Sequence, residues 1–554
     1  MIKFLIRYKI VISLFVLILI GGILRFYDLM WGAPFFFHPD ERNIASAISA
    51  LHFPDQLNPH FFAYGSLPIY VTYLIGSVIN YFQTCHSSLV SCHFPPTISF
   101  EQAILILRAL SALFSLLLIP LLFLIGKLIK NEATGLLAAF FATTSIGLIQ
   151  YAHFGTYELW LTFLGVLLFL VHILLWKKKK KRYLYFQIVI FALLVATKIS
   201  SLALLPLLFI FPELWSKKSF LIRSFIFIRH TVLVSTLTLF IFLLTNPFSF
   251  LDFQSFYNSL VYESSVATGS MLVFYTGEFA QTLPVVYHFL YIYPFLLNPL
   301  LFSLLIPSLL LVIVLSIKHR SLPLLLILTY TGILFLSQVF LFVKWTRYLI
   351  PTLPFLYLLL AVALSTCKDY LRQLLPKQLL HFGYILGGSI CALFALAFVI
   401  TVYERPDTRG EAAAFAEEQL NRDSKIISEV YDLGIVPFSE HFSSIELFNF
   451  YDLDNNSPEF NLTTLEQKLE EAKYLILPSQ RILKSRLLHS ETFPHGAKFY
   501  TSLFYEQEDF SELYRTPCDS WCKITYWGDP IFAFEGTVNI FDRPTVLIYQ
   551  KNNL

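Results

Sequence analysis

The chain reads as long apolar runs separated by short polar breaks. Such runs occupy residues 10–23, 104–126, 133–152, 157–176, 183–197, 199–214, 231–246, 291–317, 321–341, 348–366 and 382–402. Most approach the roughly 20 residues that a helix needs to cross a bilayer. They are too long and continuous for barrel strands, and lipid admits only helices or closed barrels. The pattern therefore predicts a polytopic α-helical membrane protein with about 11 spans. From Tyr403 onward the material changes to polar and acidic patches with turn residues. Short β-type runs recur there in KIISEVY, AKYLILP and PTVLIYQK, and helical periodicity appears in RGEAAAFAEEQL and TTLEQKLEEA. Residues 1–402 are expected to form the membrane domain, and residues 403–554 an extracytoplasmic α/β or α+β domain of ordinary size. No internal repeat is visible in either.

Charge then sets the topology. Half of the 40 Lys and Arg residues fall into six clusters, among them Lys3–Lys9, Lys177–Arg182 and Lys217–Arg229. Positive loops mark the cytoplasmic side. If the apolar segment 67–82 crossed, Lys177–Arg182 would face outside, so that segment is read as a helix at the outer surface. The N-terminus is then cytoplasmic and the C-terminal domain external. The first run could be a cleaved signal peptide, but it is long and no small-x-small site precedes Arg25, so it is read as a retained span. Cys85 with Cys92, and Cys518 with Cys522, lie on the outer side in this topology, where disulfides persist. A zinc site at the second pair lacks nearby His ligands. A net charge of +3 is too small to suggest a nucleic-acid partner. The 14% charged fraction, against about one quarter for soluble domains, makes every charge outside the cytoplasmic loops notable.

The first outer loop carries FFFHPDERNIASAISAL, residues 35–51. Pro39 with Asp40 and Glu41 is an ordinary helix start, worth up to about 1 kcal/mol through the dipole. Yet Asp40 shares its face with Ile44, Ala47, Ile48 and Leu51, while Arg42, Asn43, Ser46 and Ser49 cover the other. Asp40 is thus expected to point into the membrane domain, where an ionised carboxylate needs partners or work. Other polar residues gather at the same surface: His38, His60 and Tyr64, Arg108, His153 and Glu158, Lys198, Glu263, Lys344 and Arg347. Acids and cations from distant loops suit one chemistry. A carboxylate deprotonates an acceptor hydroxyl while cations hold a phosphate leaving group.

The motifs HPDE, LRALSAL, HFGTYELWLTF, TKISSLALLP and WTRYLIPTLPF, across roughly residues 10–365, resemble the GT-C polytopic glycosyltransferases. The branch they most resemble holds the protein O-mannosyltransferases and aminoarabinose transferases. In the tail, DTRGEAAAFAEEQL and RPTVLIYQK look like the extracytoplasmic ends of bacterial members. The resemblance implies transfer of a sugar, with inversion, from a polyprenyl-phosphate donor to a lipid, protein or glycan acceptor on the outer face of a cell membrane. By the same resemblance Asp40 is the base or orients the acceptor, Glu41 is its neighbouring acid, and Glu158 stands where that group usually has Asp. Arg108 and Arg347 match phosphate-binding positions, with Lys198 and Lys344 as further cations. The segment FAYGSLP lacks the acid and Lys common there, which leaves His60 and Tyr64 as candidates beside His38, His153 and Glu263. Some members use a divalent cation. Two or three of these carboxylates with His38 could bind one, although the sequence has no dense ligand motif. The rival readings are a transporter or flippase, which would place ionisable groups near the midplane, and a non-catalytic receptor or assembly protein.

Overall fold

A computed structural model describes residues 2–87, 97–214, 219–455, 457–507 and 509–552, with residues 2–7 and 84–87 as backbone only. The membrane part begins with α1 (Ile2–Phe26), α2 (Pro39–Ser49), α3 (Leu67–Ser87), α4 (Phe100–Ile129), α5 (Glu132–Thr143), α6 (Ile146–Gln150), α7 (Glu158–Lys178) and α8 (Lys181–Thr197). It continues through α9 (Phe220–Thr245), α10 (Phe248–Leu251), α11 (Phe253–Thr268), α12 (Tyr293–His319), α13 (Leu322–Val339), α14 (Leu353–Leu371) and α15 (Lys377–Val399). Among the described residues, eight helices are long and apolar enough to cross a membrane. The other three expected spans are helical but short. Residues 133–152 divide into α5 and α6, because Ser145 leaves the helix and caps the next one through Leu148 N, 3.2 Å away. Residues 183–197 give the 17-residue α8. Residues 199–214 give a tight 3₁₀ segment, Ile199–Phe209, with Pro206 inside it. The segment expected at the surface is α3, packed beside α2 and α4 and not among the eight.

Local signals explain most boundaries. Ser99 caps α4 through Gln102 N and Asn131 caps α5 through Thr134 N. In α12 the backbone breaks at Asn298 (φ 64°, ψ 161°) just before Pro299, and the Asn298 side chain accepts from Leu301 N. The first helix is integral to the bundle. Arg25, near the end of α1, is fully buried and donates to Ser115 Oγ at 2.8 Å, Thr143 O at 3.2 Å and Ala142 O at 2.6 Å.

The C-terminal part carries one five-stranded sheet, built from β1 (Ile426–Glu429), β2 (Ile445–Phe448), β3 (Tyr474–Leu477), β4 (Phe510–Arg515) and β5 (Leu547–Lys551). The strand order is β2-β1-β3-β5-β4, with β1 parallel to both β2 and β3 and β5 antiparallel to β3 and β4. Helix α16 (Thr408–Gln419) buries Ala412, Ala413 and Ala416 against it. The largest apolar core does not stop at the 402/403 boundary: Tyr526, Phe534 and Val538 belong to the same cluster as Phe295, Phe398 and Tyr403. Cys518 and Cys522 form a disulfide. The Cys85 side chain and all of Cys92 lie outside the described residues.

At the end of β1, Glu429 is buried, with Tyr500 Oη donating to its Oε1 at 2.9 Å. Burial first, and Asp432 next, push its carboxyl up from 4.5 to about 8. The folded form therefore holds a proton that the unfolded chain has lost across that range, so stability falls as pH rises from 4.5 to about 8. Glu429→Gln, which mimics the protonated acid, is expected to flatten that slope in thermal melts of the purified protein across this window.

Candidate active site

The two acids that open α2 part company. Glu41, not Asp40, turns into the protein, together with Ile44, Ala45 and Ile48. Its carboxylate takes both prongs of Arg108, Nε to Oε2 at 2.8 Å and Nη2 to Oε1 at 2.6 Å, with both side chains fully buried. Gly155 N donates to Glu41 Oε2 at 2.7 Å. Arg108 Nη1 donates to Leu29 O at 2.7 Å and Trp31 O at 2.9 Å. A Cβ at Gly155 would sit 2.9 Å from Leu107 Cβ and 3.1 Å from Glu41 Oε2, so only glycine fits this approach. The donors of Arg108, expected at a phosphate, and the carboxylate of Glu41 are thus engaged with each other.

Asp40 faces the other way, with its side chain 27% exposed into a cavity. Arg347 Nη1 and Tyr64 Oη both reach its Oδ2, and Arg347 Nη1 also donates to Tyr64 Oη at 3.1 Å. Burial opposes ionisation of Asp40, but Arg347, His38 and Lys198 more than offset it and hold the carboxyl below its ordinary value. Arg347 lies over the Trp345 ring at 4.1 Å. The segment that carries it is gripped by Glu535 of the C-terminal part. Glu535 Oε2 accepts from Thr346 N at 3.0 Å and Thr346 Oγ1 at 2.5 Å, while Oε1 accepts from Thr537 N and Oγ1, both at 3.1 Å.

Two cavities meet at this point, sharing Tyr64, Glu158, Glu263 and Arg347. One, of about 420 Å³, is walled by apolar side chains such as Leu161, Leu194, Leu204, Phe242, Leu260 and Leu334. Lys198 lines it and lies over the rings of Tyr64 (4.8 Å) and Tyr348 (5.2 Å). The other, of about 450 Å³, is the more polar of the two and is closed by the C-terminal part through Tyr431, Tyr451, Arg481, Glu535 and Phe541. His38 and Asp40 line only this second cavity. His38 lies between the rings of Phe154 and Phe541 at 4.5 and 4.6 Å, and burial lowers its pKa. Burial likewise raises the carboxyl of Glu263 on α11.

Of the residues singled out in the sequence, Asp40, Glu158, Lys198, Arg347, His38, Tyr64 and Glu263 come together around these cavities. Glu41, Arg108, His153, Lys344 and His60 line neither cavity. His153 is buried between Ile149 O and Tyr27 O, each 2.8 Å from a ring nitrogen. Lys344 donates to Phe342 O at 2.8 Å, and the His60 side chain is 66% exposed, 4.0 Å from Asp252. Sequence reasoning missed Tyr151, Thr156, Arg481 and Glu535. Tyr151 and Thr156 flank the quoted HFG stretch and could have been weighed, whereas Glu535, in FAFEGTV, gives no local signal. Among the described residues, no three His, Cys, Asp or Glu side chains are grouped to hold a metal ion. Asp40 is paired with Arg347, and Glu41 with Arg108.

No family model matches this sequence, and no curated protein matches it. Solved structures do. A crystal structure of the Archaeoglobus fulgidus oligosaccharyltransferase in its apo form aligns at a TM-score of 0.50 and 12% identity, over 98% of this chain and 89% of that one. ArnT from Cupriavidus metallidurans, solved with undecaprenyl phosphate, aligns at 0.46 and 12%, over 98% and 97%. The chain shares the fold of that archaeal structure, with many apolar helices and a small C-terminal sheet domain.

Breaking the Glu41–Arg108 pair leaves a buried guanidinium uncompensated, at a cost of about 3–5 kcal/mol. Glu41→Gln is therefore expected to lower the yield of monodisperse protein in detergent and its melting temperature. A variant with wild-type yield and melting temperature would show that the pair is dispensable.

Proposed function

We propose that the protein is a membrane glycosyltransferase that moves a sugar from a polyprenyl-phosphate donor to a hydroxyl of an acceptor at the outer face of the membrane. The supporting observation is the pair of cavities that meet at Arg347. The apolar one suits a polyprenyl chain, with Lys198 and Arg347 where the phosphate would lie. The polar one suits the sugar and the acceptor. Arg347 borders both, so the bond between phosphate and sugar would sit beside it. The concentration of Lys and Arg in loops away from these residues supports placing the site outside and the N-terminus inside.

In this reading the acceptor oxygen attacks the anomeric carbon as the bond to the phosphate oxygen breaks, and the phosphate leaves with the electron pair. Arg347 and Lys198 neutralise the charge that develops on it. Both contacts to Asp40 fall on Oδ2, so Oδ1 is turned to the acceptor hydroxyl. Its depressed pKa makes it a weak base. That suffices, because an acceptor oxygen becomes strongly acidic as its new bond to carbon forms. The acceptor, whether lipid, protein or glycan, would enter beneath the C-terminal part. No step is routed through a metal.

The test is release or transfer of label from a polyprenyl-phosphate sugar by the purified protein. Asp40→Asn is expected to lower transfer by roughly 10²–10⁴-fold while donor binding survives, because Arg347 keeps its charge. Arg347→Lys is expected to raise the donor KM, since Lys cannot reproduce the fork that spans Asp40 and a phosphate. Intact lipid moved across vesicles without cleavage would overturn the glycosyltransferase reading in favour of a flippase.

A further inference from the structure

Six side chains that line the polar cavity hold polar atoms without a protein partner, two of them Arg347 Nε and Tyr451 Oη. The other four are His38 Nδ1, Tyr151 Oη, Thr156 Oγ1 and Glu158 Oε2. All four residues are at least nine-tenths buried, with exposures of 4%, 2%, 4% and 3%. A buried polar atom left unpaired costs stability, and native folds keep few of them. Four on one cavity wall mark a place where the missing partners belong to a ligand.

The kind of partner follows from the atoms. Two hydroxyls can each donate or accept, an imidazole nitrogen can do either, and a carboxylate oxygen accepts only. Burial, the largest influence on it, lowers the pKa of the imidazole. Several hydroxyl groups on one small ring would satisfy all four. An anion would not. Asp40, Glu158, Glu263, Glu278 and Glu535 all line this cavity. Of its cations, Arg347 is bound to Asp40. Arg481 and His38 both lie against the Phe541 ring, the guanidinium 5.6 Å and the imidazole 4.6 Å from its centre. The wall is also stiff, with His38 held between two aromatic rings and Glu158 fixed in the first turn of α7.

We infer that His38, Tyr151, Thr156 and Glu158 form a subsite for the transferred sugar, selective for a neutral, hydroxyl-bearing ring over an anionic one. This rests on the donor reading given above and narrows it to a substrate class.

Two measurements test it. The wild-type protein is given polyprenyl-phosphate glucose, polyprenyl-phosphate mannose and polyprenyl-phosphate glucuronate, and release of the lipid phosphate is followed. At least one neutral donor is expected to be cleaved more than roughly tenfold faster than the anionic one, the loss that one unmatched buried charge imposes. Equal or preferred use of glucuronate overturns the subsite. Cleavage of none of the three overturns the donor reading itself, and the subsite with it.

The second measurement uses Tyr151→Phe and Thr156→Val. Each removes a hydroxyl that has no hydrogen-bond partner in the protein, so the melting temperature is expected to stay the same or rise. The KM for the neutral donor is expected to rise by roughly 2–10-fold for each, the value of one hydrogen bond. Unchanged kinetics in both variants would show that these hydroxyls do not meet the sugar. A fall in melting temperature with unchanged KM would make them structural and overturn the assignment.

Discussion

A buried pair of opposite charges, Glu41 with Arg108, dictates much of what surrounds it. Neither charge survives in a membrane bundle without the other. Arg108 binds Glu41 through two nitrogens and the carbonyls of Leu29 and Trp31 through a third, and Gly155 closes the remaining side of the carboxylate. That single knot ties α2 to α4, to the loop after α1 and to the loop before α7. Such pairs add little net stability, but they tolerate few alternative arrangements. Because consecutive helical residues point about 100° apart, seating Glu41 in the core turns Asp40 out of it. The orientation of Asp40 toward Arg347 is therefore inherited from its neighbour.

The other half of the site is set from the far end of the chain. Glu535 uses both carboxylate oxygens as a clamp, one on Thr346 and one on Thr537. Thr346 immediately precedes Arg347, so the clamp sets where the guanidinium emerges. A second contact, Gln150 Nε2 to Asp542 Oδ2 at 2.6 Å, pins the same C-terminal segment above α6. The polar cavity is thus a property of the interface rather than of either part alone.

The helices were legible in the sequence because length and apolarity are carried by every residue in a run. So were β1, β3 and β5, which coincide with KIISEVY, AKYLILP and PTVLIYQK. The edge strands β2 and β4 were not, because they are only partly buried and carry no clean alternation. The cluster of Asp40, Glu158, Lys198 and Arg347 was legible because charge is scarce at that surface. Which member of the Asp40–Glu41 pair faces inward was not. Periodicity assigns both to the first turn of an amphipathic helix, and the choice depends on a partner 67 residues away. Arg108 illustrates the same limit: an Arg at the head of an apolar run reads as available, and only the fold shows its donors already engaged. Glu535 was invisible for a different reason. It stands in a stretch without pattern, and its meaning lies wholly in the backbone it holds.

Chain order adds a consequence for biosynthesis. A ribosome delivers α1 to α15 to the membrane before any of the sheet exists. Glu535 emerges more than a hundred residues after Arg347, and β5, which fills the gap between β3 and β4, emerges later still. Until then Arg347 lacks its clamp and the polar cavity lacks its lid. An inserted but unfinished chain would hold the apolar cavity while the segment carrying Arg347 stayed unclamped. The late arrival of one carboxylate thus delays completion of the polar cavity until the C-terminal part has folded onto the bundle.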